Sequence, residues 1–248
     1  PKTLGGDHLN PLEALGGALV VRPRETWKSL RKGPRPAIVR GNRALTATLR
    51  TYAAAGLSQD EWCFQELLSP APEDNLSVCG WHSRDSHFSV VTHKVFSHPP
   101  LMGNGDIVEI LPADPVLERA THRILQSLDY EGPFEVEFVR DPHSGTPKLI
   151  EINPRFWMQN ELVNRATNDE MVRRYMGVGH TDNPVTTAPT PRYWVNRIVA
   201  LYRLLKLDHR PMRYLFARNS VVVPSLGLTF RYLPLYLRRT FHQRSRSH

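Results

Sequence analysis

Three oxygen-bearing side chains, Glu137, Glu151 and Asn153, stand in two runs, residues 132–141 and 148–157, that each alternate apolar and polar residues. That alternation is the period of a strand with one buried face. Between the runs, Asp141-Pro-His-Ser-Gly145 has turn chemistry, Pro fixing φ and Gly tolerating positive φ. A β-hairpin is predicted. With its centre at Ser144, Glu137 faces Glu151 directly, and opposite residues of an antiparallel pair share a face. Asn153, two residues on, joins them. Two carboxylates and an amide on one face repel unless a cation sits between them. Hard oxygen donors of this kind suit Mg²⁺ or Mn²⁺, with substrate phosphates completing the shell. The bland alternative is a solvated acidic face. Pro154-Arg155-Phe156-Trp157 argues against it, because a cation and bulky aromatics beside the acids make a cleft wall.

The upstream elements must support that hairpin. Gly17–Pro23 and Pro36–Arg40 have the apolar content of strands, and Ala44–Ala55 that of a helix with Gly56 at its C-terminal end. Trp62–Leu68, Leu76–Trp81 and Phe88–Lys94 again have strand character. Val116–Leu128 has helical spacing at Val116, Ala120, Ile124 and Leu128.

Glu-Val-Glu-Phe138, a turn, then Leu149-Ile-Glu-Ile-Asn-Pro-Arg155 resembles the metal-binding end of the ATP-grasp superfamily. The likeness is greatest to its carboxylate–amine ligases, whose signature is E-F-x-x-D…L-I-E-I-N-P-R. It extends in order over residues 1 to about 176. It implies an α+β ATP-grasp fold, with two α/β subdomains enclosing ATP, and leaves beyond it a basic, partly helical C-terminal extension. The boundaries it suggests are 1–68 for a small nucleotide-covering subdomain, 69–180 for a large subdomain with the metal site, and 181–248 for linker and extension. By the same resemblance, Arg22 stands where an ATP-contacting Lys precedes a Pro. Gln65, Glu66, Leu67 and Leu68 form the hinge strand lining the adenine, and Asp74, beside Asn75, is placed for the ribose. Lys94 contacts phosphate or substrate, ahead of a loop with Gly103 and Gly105. Glu137, Glu151 and Asn153 hold the metal, and Arg155 and Lys94 supply catalytic positive charge.

The implied activity is an ATP- and Mg²⁺-dependent ligase that joins a small-molecule carboxylate to an amine through an acyl phosphate. Departures from the family pattern lie on the basic side of the phosphate cradle. Arg22 replaces a Lys, and Arg and Lys are not interchangeable at a phosphate site. Pro36 replaces a second Lys, with Arg35 and Arg40 as substitutes. Lys94-Val95-Phe96 lacks one cation of the usual K-x-R, and the hinge continues as Ser69-Pro-Ala-Pro72 rather than Pro-Gly. These changes keep open a catalytically degraded ATP-binding module.

The 248 residues, 40% of them hydrophobic, suffice for a sizeable core in one composite domain or two subdomains. A start at Pro1 predicts further sequence upstream, where ATP-grasp enzymes usually carry an α/β domain. Cys63 and Cys79 lie in apolar runs and imply no disulfide framework, as expected of reduced core residues in a cytoplasmic protein. Neither a signal-peptide pattern nor an apolar run of about 18 residues is present. His82, His87, His93 and His98 crowd one region but fit no tight zinc spacing. Trp27, near Arg24 and Lys28, has the setting of a packed helix residue rather than a base-stacking platform.

The net charge of +8 is uneven. From Arg192 onward twelve Lys or Arg face one acid, Asp208, so that segment carries +11 and residues 1–191 carry −3. No nucleic-acid partner is therefore expected for the body. A Gly-, Pro- and Thr-rich stretch, 177–191, precedes the basic part. Tyr193–Leu207 is predicted as one amphipathic helix, apolar at Val195, Ile198, Val199, Tyr202 and Leu205. Packing of that helix on the body competes with an adaptor role for the basic tail, by peripheral contact with an anionic membrane or with nucleic acid. Val221–Leu237 is apolar but broken by Pro224, Gly227 and Pro234, and is too short to span a bilayer.

Overall fold

The computed structural model describes residues 1–24, 34, 36–68, 74–98, 104–178, 191–224, 226–229 and 232–234. Trp27, Lys28, Arg35, Ser69–Pro72, Gly103, residues 179–190 of the linker and the tail from 235 lie outside them. The chain forms two compact units, Pro1–Ser69 and Pro70–His248.

The first unit is an antiparallel sheet ordered β1 (Thr3–Gly5), β4 (Trp62–Glu66), β2 (Ala18–Pro23), β3 (Ala37–Arg40). Helix α1 (Pro11–Ala14) precedes β2, and α2 (Asn42–Ala54) follows β3. Alternation along β2 sends Leu19 and Val21 into a core with Val39, Leu45, Tyr52, Trp62 and Phe64. Tyr52 lies edge-on to Trp62, and its hydroxyl donates to the Val21 carbonyl at 3.0 Å. Burial pushes that phenol up to about 12. Gly56 ends α2 at φ 82°, the left-handed conformation its position calls for.

The second unit holds a seven-stranded sheet ordered β11 (Ser220–Val223), β10 (Tyr193–Asn196), β7 (Asn104–Ile110), β6 (His87–His98), β5 (Asn75–His82), β8 (Gly132–Arg140), β9 (Pro147–Asn153). All neighbours are antiparallel except β10 and β11. One face packs Val78, Val91, Phe134, Val136 and Phe138 under α3 (Pro115–Ser127). The other packs Cys79, Phe88, Val90 and Trp157 with Val163 of α4 (Asn160–Ala166) and Met171 of α5 (Glu170–Tyr175).

Two sequence expectations are corrected here. Helix α3 exists, but its buried stripe is Leu117, Thr121 and Leu125, whereas Val116 and Leu128 are exposed. The same i, i+4 spacing fits both stripes. Thr121 can join the buried one because its hydroxyl donates to the Leu117 carbonyl at 3.0 Å. The predicted helix over 193–207 is a strand followed by a helix. Tyr193–Asn196 pairs with β7, and Asn196 then caps α6 (Arg197–Leu205) by accepting from the Val199 amide. Val195 and Ala200 pack with Ile107 and with Tyr214 of α7 (Met212–Leu215). The basic segment thus begins as part of the central sheet.

At the far end of the β5–β6 hairpin, His82, His87 and His122 of α3 cluster, with His82 stacked on His122 and the His87 ring tilted, 4.0 Å from that of His122. Burial lowers His122 to about 4, with His87 and His82 adding to the effect, and burial likewise lowers His82. A folded-state pKa below the unfolded value of about 6.5 means the stability is whole above that pH and is lost as pH falls from there toward about 4. Allowing for solvent screening of a half-buried group, the loss is about 1–2 kcal/mol. Relative to the His122→Gln variant, the 248-residue parent should therefore lose melting temperature between pH 7.5 and 5, while the buried acid Glu135, raised to about 7, acts in the opposite sense in both proteins. The two slopes of melting temperature against pH should differ, and identical slopes would rule out the histidine cluster as a source.

Candidate active site

The β8–β9 hairpin has the register its sequence predicts: Glu137 lies opposite Glu151, and Glu135 opposite Asn153. The turn holds Gly145 at φ 68°, while the Asp141 carboxylate accepts from the His143 amide at 2.8 Å. Between Glu137 and Phe138 the ladder slips, because Leu149 pairs with Phe138 and Ile150 is left over. This bulge sits beside the acidic pair, where bulges re-aim side chains. A second irregularity lies in β6, between Lys94 and Phe96 and again between Phe96 and Ser97.

These devices bring Lys94, Glu137, Glu151, Asn153 and Arg155 into one cleft of about 240 Å³. Lys94 Nζ lies 2.6 Å from Glu137 Oε2, with both side chains about one-fifth exposed. Arg155 donates to Asn153 Oδ1 at 3.3 Å and to the Phe156 carbonyl at 3.0 Å. The other expected residues are placed by their own elements. Arg22 lies on β2 opposite Cys63, and Gln65 and Glu66 end β4, where Glu66 accepts the Lys2 amide at 3.0 Å. Leu67 and Leu68 follow β4, and Asp74 precedes β5.

Sequence reasoning missed the rest of the cleft. Glu135 is its most buried acid, 8% exposed, and accepts from Asn153 Nδ2 at 3.1 Å. Burial pushes its carboxyl up to about 7; Glu137 adds to the rise, while Lys94 and the Asn153 bond oppose it. Its position two residues before Glu137 was the available signal. When ionised, the Glu135 carboxyl can only accept, which holds the Asn153 amide with its nitrogen toward Glu135 and leaves Oδ1 on the side of Arg155. Asn104, Gly105, Trp157, Met158 and Gln159 complete the lining. Gly105 belongs to β7 rather than to a loop, and its carbonyl accepts from Gln159 Nε2 at 2.8 Å. A Cβ there would lie 2.7 Å from a Val108 methyl, which would have to shift, and 3.2 Å from Lys94 Cγ, a tight contact beside the cleft.

Of the four crowded histidines, His93 pairs with Glu109 at 3.1 Å. Among the described residues, no three His, Cys, Asp or Glu side chains group so as to hold a metal ion by themselves. Both cysteines are free, Cys79 buried and Cys63 partly so.

No protein-family profile and no curated protein matches the chain. Solved structures do. Pyruvate carboxylase of Rhizobium etli aligns with 77% of this chain and 17% of its own, at 16% identity and a TM-score of 0.56. Carboxyaminoimidazole ribonucleotide synthase of Aspergillus clavatus, complexed with ATP, aligns over 75% of this chain and 50% of its own, at 14% identity and 0.54. L-amino acid ligase of Bacillus licheniformis aligns over 70% and 42%, at 16% identity and 0.51. The chain thus spans half or less of each of these proteins. At such identities the likeness is one of fold, and the fold is ATP-grasp.

Proposed function

We propose that the chain carries the nucleotide and metal sites of an ATP- and Mg²⁺-dependent ligase joining a carboxylate to an amine. The observation that carries this reading is the Glu137–Glu151 cross-strand pair with Asn153 on the same face, in one cleft with Lys94 and Arg155. Two carboxylates and an amide oxygen fit a hard divalent cation that takes the rest of its shell from phosphate oxygens. Glu137, Glu151 and Asn153 would hold it, and when bound it supplies neutralisation of charge on the phosphates. Arg22, Gln65, Glu66, Leu67, Leu68 and Asp74 are the proposed nucleotide contacts.

In the reaction, an oxygen of the substrate carboxylate attacks the γ-phosphorus of ATP, and ADP leaves. The amine then attacks the acyl carbon, the C–O bond to phosphate breaks, and the amine loses a proton as the amide forms. Lys94 and Arg155 are fixed cations whose role is to stabilise the negative charge that develops. Glu135 keeps the Asn153 oxygen turned away from itself. Partial enclosure by Trp157 and Met158 limits water, which would hydrolyse an acyl phosphate.

The degraded-module alternative rested partly on the missing cation at Phe96. The β6 irregularity directs that ring into the cluster around Ile107 and Tyr214, with the Arg203 guanidinium 5.0 Å from its centre. Phe96 lies outside the residues lining the cleft, which supports the ligase reading over the degraded module. An ADP-release screen against paired carboxylates and amines tests the proposal. Turnover that requires both substrates is expected, and ATP binding without turnover for any pair would favour a binding module.

Arg22 gives a separate check on the nucleotide side. If it keeps the phosphate role, Arg22→Ala should weaken Mg-ATP binding by about 1.5–3 kcal/mol, the range for a hydrogen bond to a charged group. Arg22→Lys should retain most of the affinity. Calorimetric titration of the three proteins decides it, and an Arg22→Ala affinity equal to the parent would end the assignment.

A further inference from the structure

The apolar side of the α6–α7 segment is already used: Val199, Ala200 and Tyr214 are buried against the sheet. The same segment nevertheless presents Leu205, Leu207 and Phe216 outward at 63%, 82% and 77% exposure. Leu207 is unusual twice over. It follows the C-cap of α6 with φ 60°, the left-handed conformation that helix ends ordinarily give to glycine. A branched side chain there gives up conformational ease, and the side chain so placed is nearly fully in water. A strained backbone carrying a solvated leucine points to use of that leucine. Around it, residues 197–218 contain Arg197, Arg203, Lys206, Arg210, Arg213 and Arg218 against the single acid Asp208. That acid is already engaged by Arg203 and Arg210.

Cations alone would suit any polyanion. Large aliphatic and aromatic side chains exposed among them suit a surface whose phosphates lie just above hydrocarbon. Nucleic-acid phosphates would match the cations but bury no leucine. We propose that the α6–α7 turn docks peripherally on an anionic phospholipid bilayer, with Leu207 and Phe216 entering the interface and Arg213 and Arg218 meeting headgroup phosphates. No helix among the described residues is long and apolar enough to cross a membrane, which fits surface contact. The inference is independent of the ligase chemistry.

Co-sedimentation of the full chain with mixed phosphatidylcholine–phosphatidylglycerol vesicles, against pure phosphatidylcholine, tests it. Binding to the anionic vesicles only is expected, weakened at least tenfold by Leu207→Gly or Phe216→Ser and also by Arg213→Gln combined with Arg218→Gln. Leu207→Gly separates docking from folding, because glycine relieves the left-handed strain and should hold or raise the melting temperature while vesicle binding falls. Equal binding to neutral vesicles would overturn the proposal. So would full binding by Leu207→Gly and Phe216→Ser with loss only in the charge variant, which would mark a surface for polyanions such as nucleic acid.

Discussion

Replacing Glu151 by alanine should abolish Mg²⁺-dependent ATP turnover while leaving the fold intact. Loss of a metal ligand removes several kcal/mol of charge stabilisation in the transition state. At about 1.4 kcal/mol per tenfold, that is a rate loss of about a thousandfold or more. Stability should move the other way. Glu151 is exposed and lies directly opposite Glu137, and like charges so paired are destabilising. Without metal the variant should melt at or slightly above the parent. Added Mg²⁺ with ATP should raise the melting temperature of the parent more than that of the variant. A metal-free melt several degrees lower, or unchanged turnover, would remove Glu151 from the site.

Lys94→Met should damage both activity and stability. Its ammonium is within 2.6 Å of Glu137, and Glu135 lies on the same sheet face. Loss of one preorganised donor to developing negative charge costs about 10²–10³ in rate. The fold should lose about 1–3 kcal/mol, below the range for a fully buried pair, because both partners keep some solvent. Pairing Lys94→Met with Glu137→Gln separates the two effects. The double variant should recover part of the stability, since Glu137 no longer carries an unpartnered charge while Glu135 still lacks the Lys94 cation, and none of the turnover. Recovery of turnover in the double variant would remove both Lys94 and Glu137 from the chemistry.

The acidic pair was legible because its determinants are local. A Pro–Gly turn fixes roughly where the hairpin folds and alternation fixes the faces, while the bulge that leaves Ile150 over completes the match of Glu137 with Glu151. The opposite wall was not. Asn104 and Gly105 reach the cleft through pairing with the irregular β6, and Gln159, just before α4, through its bond to the Gly105 carbonyl, contacts that are all distant in sequence. Alternation read straight through β6 would put Phe96 beside Lys94, and the slip of register is what separates them. Helix α3 was found while its face was misassigned, since hydrophobic spacing cannot rank two stripes when a threonine can bury its hydroxyl on its own helix. Strand β10 was hidden because four residues, Tyr193–Asn196, abut a helix with continuous apolar spacing. Asn196, a strong capping residue, was the unused sign of where the helix begins.

The central claim, that this cleft makes an acyl phosphate, is tested most directly by trapping the product of the first step. The full chain incubated with Mg-ATP, a panel of carboxylates and hydroxylamine should yield a hydroxamate in step with ADP for at least one carboxylate. Both products should vanish together in Glu151→Ala. ADP formed without hydroxamate for every carboxylate, or hydroxamate formed equally well by Glu151→Ala, would contradict the account.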